Sequence, residues 1–241
     1  MFKKLAFICV ILTMLFSIAA YALSNKKQIS KTISTANQFN LYNAAEKGDI
    51  NQIKVLLEQG YNINFRCQNQ CEGWTPLMIA SANGHYNAVK LLLEKGADPN
   101  LQNKFGRTAL QFAVRYKFVP IIQILLDNNA DPFIISNEDN KAPDSSMAYA
   151  LVGSISDAEM YDILKFLVKR TEKFNFEFWE YTPLLMAVFY DDYDFTKYLL
   201  ENGANVNHIK VFNTNGIPEK RTIDSFAKSE KIKLLLNSYI N

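Results

Sequence analysis

From Leu41 onward, apolar positions recur at helical spacing in short paired runs, separated by glycine, asparagine and aspartate. The segment from Gly73 to Asn100, GWTPLMIASANGHYNAVKLLLEKGADPN, shows the pattern most completely. Leu77, Ala80 and Ser81 form one small-residue face, and Val89, Leu92 and Leu93 repeat at helical spacing after a break at Gly84. The pattern predicts a short helix, a turn, a second helix and an outward hairpin-like loop at Asp98-Pro99-Asn100. Thr75 stands where a side-chain oxygen can accept from the free N–H groups of the first helix, and Pro76 follows at the position where a missing N–H costs nothing. Gly84 and Gly96 end the two helices, most simply in the left-handed conformation.

The same unit returns. Gly73 and Gly106 are 33 residues apart, and Ala97-Asp98-Pro99 recurs at the same distance as Ala130-Asp131-Pro132. A third copy runs from Glu180 to Asn207, a partial one from Leu41 to Asn64, a degraded one around Met160–Arg170, and a last one from Arg221 to Ile240. Self-similarity at this period predicts stacked supersecondary units, none of which can bury its apolar face alone. The expected boundaries are about 39–72, 73–105, 106–139, 140–179, 180–213 and 214–241, with the first and last units as polar-faced caps.

These residues, above all G-x-T-P-L…A…G-H…V-x-L-L-L…G-A-D-P-N in the second unit, resemble ankyrin repeats from about Leu41 to the C-terminus. The resemblance implies an all-α solenoid of about six helix-turn-helix units with β-turn fingers, binding another protein through its fingertips and the concave face of its first helices. It also implies which residues face that groove: Ile79, Phe112 and Met186 on the first helices, Arg115, Tyr116, Phe189 and Tyr190 near their ends, and Trp74, Arg107 and Tyr181 at the fingertips. Aromatic and arginine side chains are the usual anchors of binding energy. The alternative is that irregular packing around the fourth unit buries this apolar stripe. Three departures stand out. The family's histidine after Thr-Pro-Leu, which bonds adjacent loops, is replaced by Met78, Gln111 and Leu185, so that polar cross-link is expected to be missing. The loop before Gly73 carries three extra residues. The fourth unit lacks Thr-Pro-Leu, and EDNKAPDSSMAYALVGSISDAE is expected to bulge from the stack.

The N-terminus changes the picture of where such a protein works. Lys3 and Lys4 precede an apolar run from Leu5 to Ala20, and Ala20-Tyr21-Ala22 has the small-x-small form of a cleavage site. Residues 1–22 read as a secretory signal peptide cleaved after Ala22, with an uncleaved membrane anchor as the alternative. Residues 23–38 read as a flexible polar linker to a domain spanning 39–241. Cleavage removes two lysines and no acids, turning the formal charge of +2 into a neutral mature chain. That gives no basis for a nucleic-acid partner or for attraction to an anionic membrane.

Cleavage also removes Cys9 and leaves Cys67 and Cys71 in RCQNQCEG. In an oxidising compartment this pair reads first as a local disulfide, then as free thiols. A metal site would need further ligands, and His85 and His208 are the only histidines. His85 falls where the repeat itself places a histidine, so it reads as structural. The acidic run YDDYD, Tyr190–Asp194, lacks calcium-loop spacing and reads as a turn before a helix. No phosphate loop or nucleophile motif is present in the sequence, and no catalytic residue, cofactor or metal is expected. The expectation is a monomeric, non-catalytic protein-binding module exported to the periplasm or beyond, of the kind that inhibits a protein toxin or enzyme there as an immunity protein. A secreted effector that binds host proteins, or a structural envelope scaffold, is the alternative.

Overall fold

The computed structural model describes residues 39–67, 71–136, 145–177, 181–207, 209–214 and 217–240. The expected signal peptide and linker lie outside the described residues, as do residues 137–144, which hold the start of the expected bulge, and residues 178–180.

Five helix pairs follow one another. They are α1 (39–47) with α2 (Ile50–Glu58), α3 (Pro76–Ala82) with α4 (Tyr86–Glu94), α5 (Ala109–Arg115) with α6 (Val119–Asp127), α7 (Ser146–Gly153) with α8 (Ala158–Thr171), and α9 (Pro183–Phe189) with α10 (Tyr193–Glu201). The first helices start as their sequences dictate. Thr75, Thr108 and Thr182 each accept at Oγ1 from the N–H three residues on, and Pro76 and Pro183 open their helices. Ser145 does the same for α7, which therefore enters the row in spite of the missing Thr-Pro-Leu. Gly84 takes a φ of +74° just after α3, and an added Cβ there would meet the ring of Phe118 from the next unit.

The stack is built by burying the first helices almost whole. Every residue of α3 from Pro76 to Ser81 is buried. α3 packs on α5 and α5 on α7, while the second helices follow as α2 on α4 and α4 on α6. Asparagines in the outward loops stitch one unit to the next: Asn64 Oδ1 accepts from Asp98 N, Asn100 Oδ1 from Asp131 N, and Asn175 Oδ1 from Asn205 N, at 2.7–3.0 Å. At the opposite end of the first pairs, Glu46 O lies 2.9 Å from both Asn83 Nδ2 and His85 Nε2. His85 thus has a structural partner in the preceding unit, as its place in the repeat led us to expect.

The fourth-to-fifth junction is different in kind. α9 packs on α8, and the seam is aromatic: Tyr161 and Tyr190 stack at 4.1 Å and 7°, and Phe195 meets Tyr161 edge-on at 6.2 Å. Asp192, in the acidic run, caps α10 and accepts from Phe195 N, Tyr161 Oη and Lys165 Nζ.

After α10 the helical pattern is interrupted by an antiparallel hairpin, β1 (Ile209–Thr214) with β2 (Ile217–Thr222), in which Thr214 is the partner of Ile217. The sequence between them is Asn-Gly, a strong short-range hairpin signal. The last unit then consists of one 3-10 turn (Ile223–Phe226) and α11 (Glu230–Asn237). Ile232 and Leu236 of α11 are buried, while Leu234 is 69% exposed beside the polar Glu230, Lys231 and Asn237. Among the described residues no helix is long and apolar enough to cross a membrane.

Candidate protein-binding groove

The sequence singles out one fingertip by its two cysteines, and the structure joins them: Cys67 and Cys71 form a disulfide with Cα atoms 5.3 Å apart. The bridge closes a loop whose base is held by backbone bonds to Trp74. Cys67 N donates to Trp74 O at 2.9 Å, and Trp74 N donates to Cys71 O at 2.8 Å. Glu72 and Gly73 take positive φ, which turns the chain sharply enough to bring it back to the cap residue Thr75. Lys104 N donates to Glu72 O at 2.8 Å and ties this finger to the next.

The neighbouring finger is organised by Asn103, which is 7% exposed. Its Oδ1 accepts from Phe105 N and Arg107 N, while its own N–H donates to Arg107 O. This closed turn delivers Arg107 to the mouth of α5. Gln102 Nε2 donates to Gly106 O and to Ile135 O, bracing the turn against the loop of the next unit.

Between these fingers and α7 lies a depression lined by Arg107, Gln111, Phe112, Arg115 and Tyr149. Trp74 extends it across the unit boundary, with its indole 4.1 Å from the Phe112 ring at 36°. The structure therefore brings together Trp74, Arg107, Phe112 and Arg115. Two guanidinium groups flank an aromatic floor, and no carboxylate is among the described lining residues. Gln111, which is buried, and the half-buried Tyr149 are the lining members that sequence reasoning missed.

The expectation of a missing polar cross-link is corrected at Gln111. Its Oε1 accepts from Thr108 N at 2.7 Å, and its Nε2 reaches Ile134 O of the following loop at 3.4 Å. A glutamine is long enough to cap its own helix and still touch its neighbour. Met78 manages only the first of these among the contacts observed, accepting from Thr75 N at Sδ.

Other expected groove residues lie elsewhere. Ile79, Phe112 and Met186 are 8%, 3% and 1% exposed, so the first-helix stripe is core and not open surface, and Phe112 contributes as a floor beneath Trp74. The reason is geometric: α3 and α5 are covered by the neighbouring first helices, and α9 by α8 and the 3-10 turn. Tyr116 is half exposed and sits near Phe118 at the inter-helix turn. Tyr181 is half-buried against the core. Tyr190 is committed to the fourth unit, stacked on Tyr161 and donating from its hydroxyl to Ser154 O at 2.7 Å. Phe189 is 40% exposed beneath the ammonium group of Lys228, 4.8 Å from the ring centre. Among the described residues no group of three or more His, Cys, Asp or Glu is placed to hold a metal ion.

Comparison with known proteins agrees with this architecture. Residues 41–136 match the family profile described as ankyrin repeats (3 copies), and residues 179–210 match the single ankyrin repeat profile. The putative ankyrin repeat protein FPV230 of fowlpox virus is 27% identical over 171 residues, covering 71% of this chain and 86% of that protein. A probable E3 ubiquitin-protein ligase of rice, XBOS32, is 38% identical over 92 residues, where the match spans 38% of this chain and only 18% of that protein. Among solved structures, one chain in the complex of the predatory endopeptidase Bd0816 with the immunity protein Bd3460, from Bdellovibrio bacteriovorus, superposes with a TM-score of 0.51 at 25% identity, over 83% of this chain and 97% of that one. Scaffolds of this kind act as protein–protein interaction modules and are typically non-catalytic. With the two profiles together covering more than half its length, and with helix pairs stacked as the repeat demands, the chain belongs to the ankyrin repeat family.

Proposed function

We propose that this protein is a monomeric binding module exported from the cytoplasm, and that it inhibits a protein toxin or enzyme by occupying it through the groove around Trp74. The observation that carries the reading is the disulfide-closed finger. Cys67 and Cys71 staple the one loop that presents Trp74, and such bonds persist in oxidising compartments. The Lys-Lys start, apolar run and Ala-Tyr-Ala ending of residues 1–22 favour the same compartment. A rigid aromatic anchor beside two guanidinium groups has the composition of a binding hot spot. The likeness to a chain from an endopeptidase–immunity protein complex supports inhibition as the purpose of binding.

The test has two arms. Fractionation and N-terminal sequencing should find a form beginning at Leu23 outside the cytoplasm. Crosslinking in the native cell, followed by purification of the captured protein, should then yield a partner whose activity falls when the chain is added. Trp74→Ala should abolish that inhibition while the helical spectrum is retained. An uncleaved cytoplasmic protein would overturn export. A partner inhibited equally by the Trp74→Ala variant would overturn the assignment of the groove.

A further inference from the structure

On the opposite face from the groove, the row of second helices opens. α2 packs on α4 and α4 on α6, but between α6 and α8 there is a cavity of about 280 Å3. Its walls are apolar: Ile122 and Ile163 are buried at its floor, Phe166 is half-buried, and Val119 is 44% exposed at its edge. The cause can be read in the junction. The asparagine that stitches the loops of other units, Asn64, Asn100 or Asn175, is replaced in the third unit by Phe133, which instead meets Phe176 edge-on. α8 is also 14 residues long where α6 has 9, so the two cannot match turn for turn.

Two ionic clasps span the opening. At one end Lys117 bonds Asp157 and Glu159 at 2.5 and 2.9 Å, and at the other Arg170 bonds Asp127 at 2.6 Å. The helices are thus fastened at both ends with an uncovered apolar middle. The volume is just under the ~300–1,000 Å3 of small-molecule sites and suits one side chain better than a drug-sized ligand. Charge decides what accompanies that side chain. At the opening stand Asp157, Glu159 and Asp162 against Lys117, which already bonds Asp157 and Glu159. Glu159 and Asp162 have side chains 76% exposed at the rim. The excess is acidic, so it favours a cation beside the apolar group.

We infer that the α6–α8 cleft is a second protein-binding site, which takes an apolar side chain of a partner polypeptide with a lysine or arginine next to it. This site is independent of the groove around Trp74 and stands or falls without it.

The test uses the full chain with isoleucine methyl groups labelled for NMR, titrated with the probe acetyl-Leu-Arg-amide. The expected result is a saturable shift of the Ile122 and Ile163 methyls in the millimolar range, with acetyl-Leu-Gln-amide binding about fivefold more weakly and acetyl-Leu-Glu-amide weaker still. The substitution Asp162→Asn, at a rim residue that takes part in neither clasp, should narrow the difference between the arginine and glutamine peptides. Val119→Lys, which puts a cation at the edge of the opening, should abolish binding of all three peptides. Methyl shifts that do not saturate, that follow the three peptides equally, or that persist unchanged in the Val119→Lys variant would overturn the proposal.

Discussion

Trp74 covers Phe112 across the boundary between the second and third units, with ring centres 4.1 Å apart. The indole is held there by its own backbone, which is bonded to both residues of the Cys67–Cys71 bridge. A covalent staple in the loop before the second unit therefore fixes an aromatic contact of that unit with the third.

Opening the bridge tests that chain of causes. Replacing both cysteines by serine removes a very short closed loop, so the chain-entropy stabilisation lost is about 2 kcal/mol or less. The local effect should be larger than the global one. In a Trp179→Phe background Trp74 is the sole indole, and its emission should move to longer wavelength in the Cys67→Ser/Cys71→Ser variant as water reaches it. Urea titration reads the stability and fluorescence reads the position. A variant with unchanged emission would show that Trp74 holds its place without the bridge.

Gln111 gives a sharper test of how the units are joined. Gln111→Leu leaves Thr108 N without its acceptor and removes the reach to Ile134 O, in a buried setting. A buried donor left unpaired costs about 1–3 kcal/mol. Gln111→Met should cost less, because at the equivalent position Met78 Sδ accepts from Thr75 N. Denaturation midpoints should rank wild type above Gln111→Met above Gln111→Leu. Equal loss in the two variants would mean that the contact to Ile134, and not the cap, carries the effect.

What the sequence made legible was local. The threonine caps, the helix-opening prolines and the glycine stops each satisfy backbone groups within a few residues, and they occur where the repeat puts them. What it hid depended on neighbours. Ile79 and Met186 are covered by neighbouring elements, Ile79 between first helices and Met186 in a helix that packs on α8 and the 3-10 turn, and no single-unit pattern contains those neighbours. Tyr190 is drawn into a seam with Tyr161 because the fourth unit offers a ring there, a fact no single-unit pattern contains. Within the groove, Trp74 and Arg107 were readable as fingertips, but Tyr149 belongs to a unit whose motif is degraded and was passed over.

Two glycines separate backbone strain from crowding. Gly84 and Gly96 both adopt positive φ, at +74° and +88°. At Gly96 an added Cβ meets nothing within 4 Å, so Gly96→Ala should cost only the left-handed penalty of about 1–2 kcal/mol. At Gly84 the same carbon would lie 2.9 Å from Cζ of Phe118. Gly84→Ala should therefore be the more destabilising of the two, and Phe118→Leu should recover part of the difference in a double-mutant cycle. If the two alanine variants unfold at the same urea concentration, Phe118 yields freely and the two units are not in firm contact at that turn.

The seam between the fourth and fifth units should make stability depend on pH at both ends of the range. Burial alone would raise the Asp192 carboxyl, but the Lys165 ammonium, the Phe195 N–H and the Tyr161 hydroxyl outweigh it and hold it below the ordinary carboxylate value. With the folded pKa below the unfolded one, the unfolded chain binds the extra proton. This contribution is thus present above about pH 4 and is lost as pH falls through the folded value. Tyr161 is shifted the other way: burial first, then the neighbouring Asp192, raise its pKa far above that of a free tyrosine. Above about pH 10 the unfolded chain gives up this proton while the folded one keeps it, so stability falls as pH rises. Urea titrations across pH should show a shallower acid slope for Asp192→Asn than for wild type. Tyr161→Phe should be weaker near neutrality, where it loses the bond to Asp192, and should lose less between pH 9 and pH 11 (values of about that size follow from the free tyrosine pKa). If Asp192→Asn keeps the full acid slope, the Lys165–Asp192–Tyr161 contact does not form in solution, and the fifth unit is held by the stacked rings and the bonds of Asn175 and Tyr190.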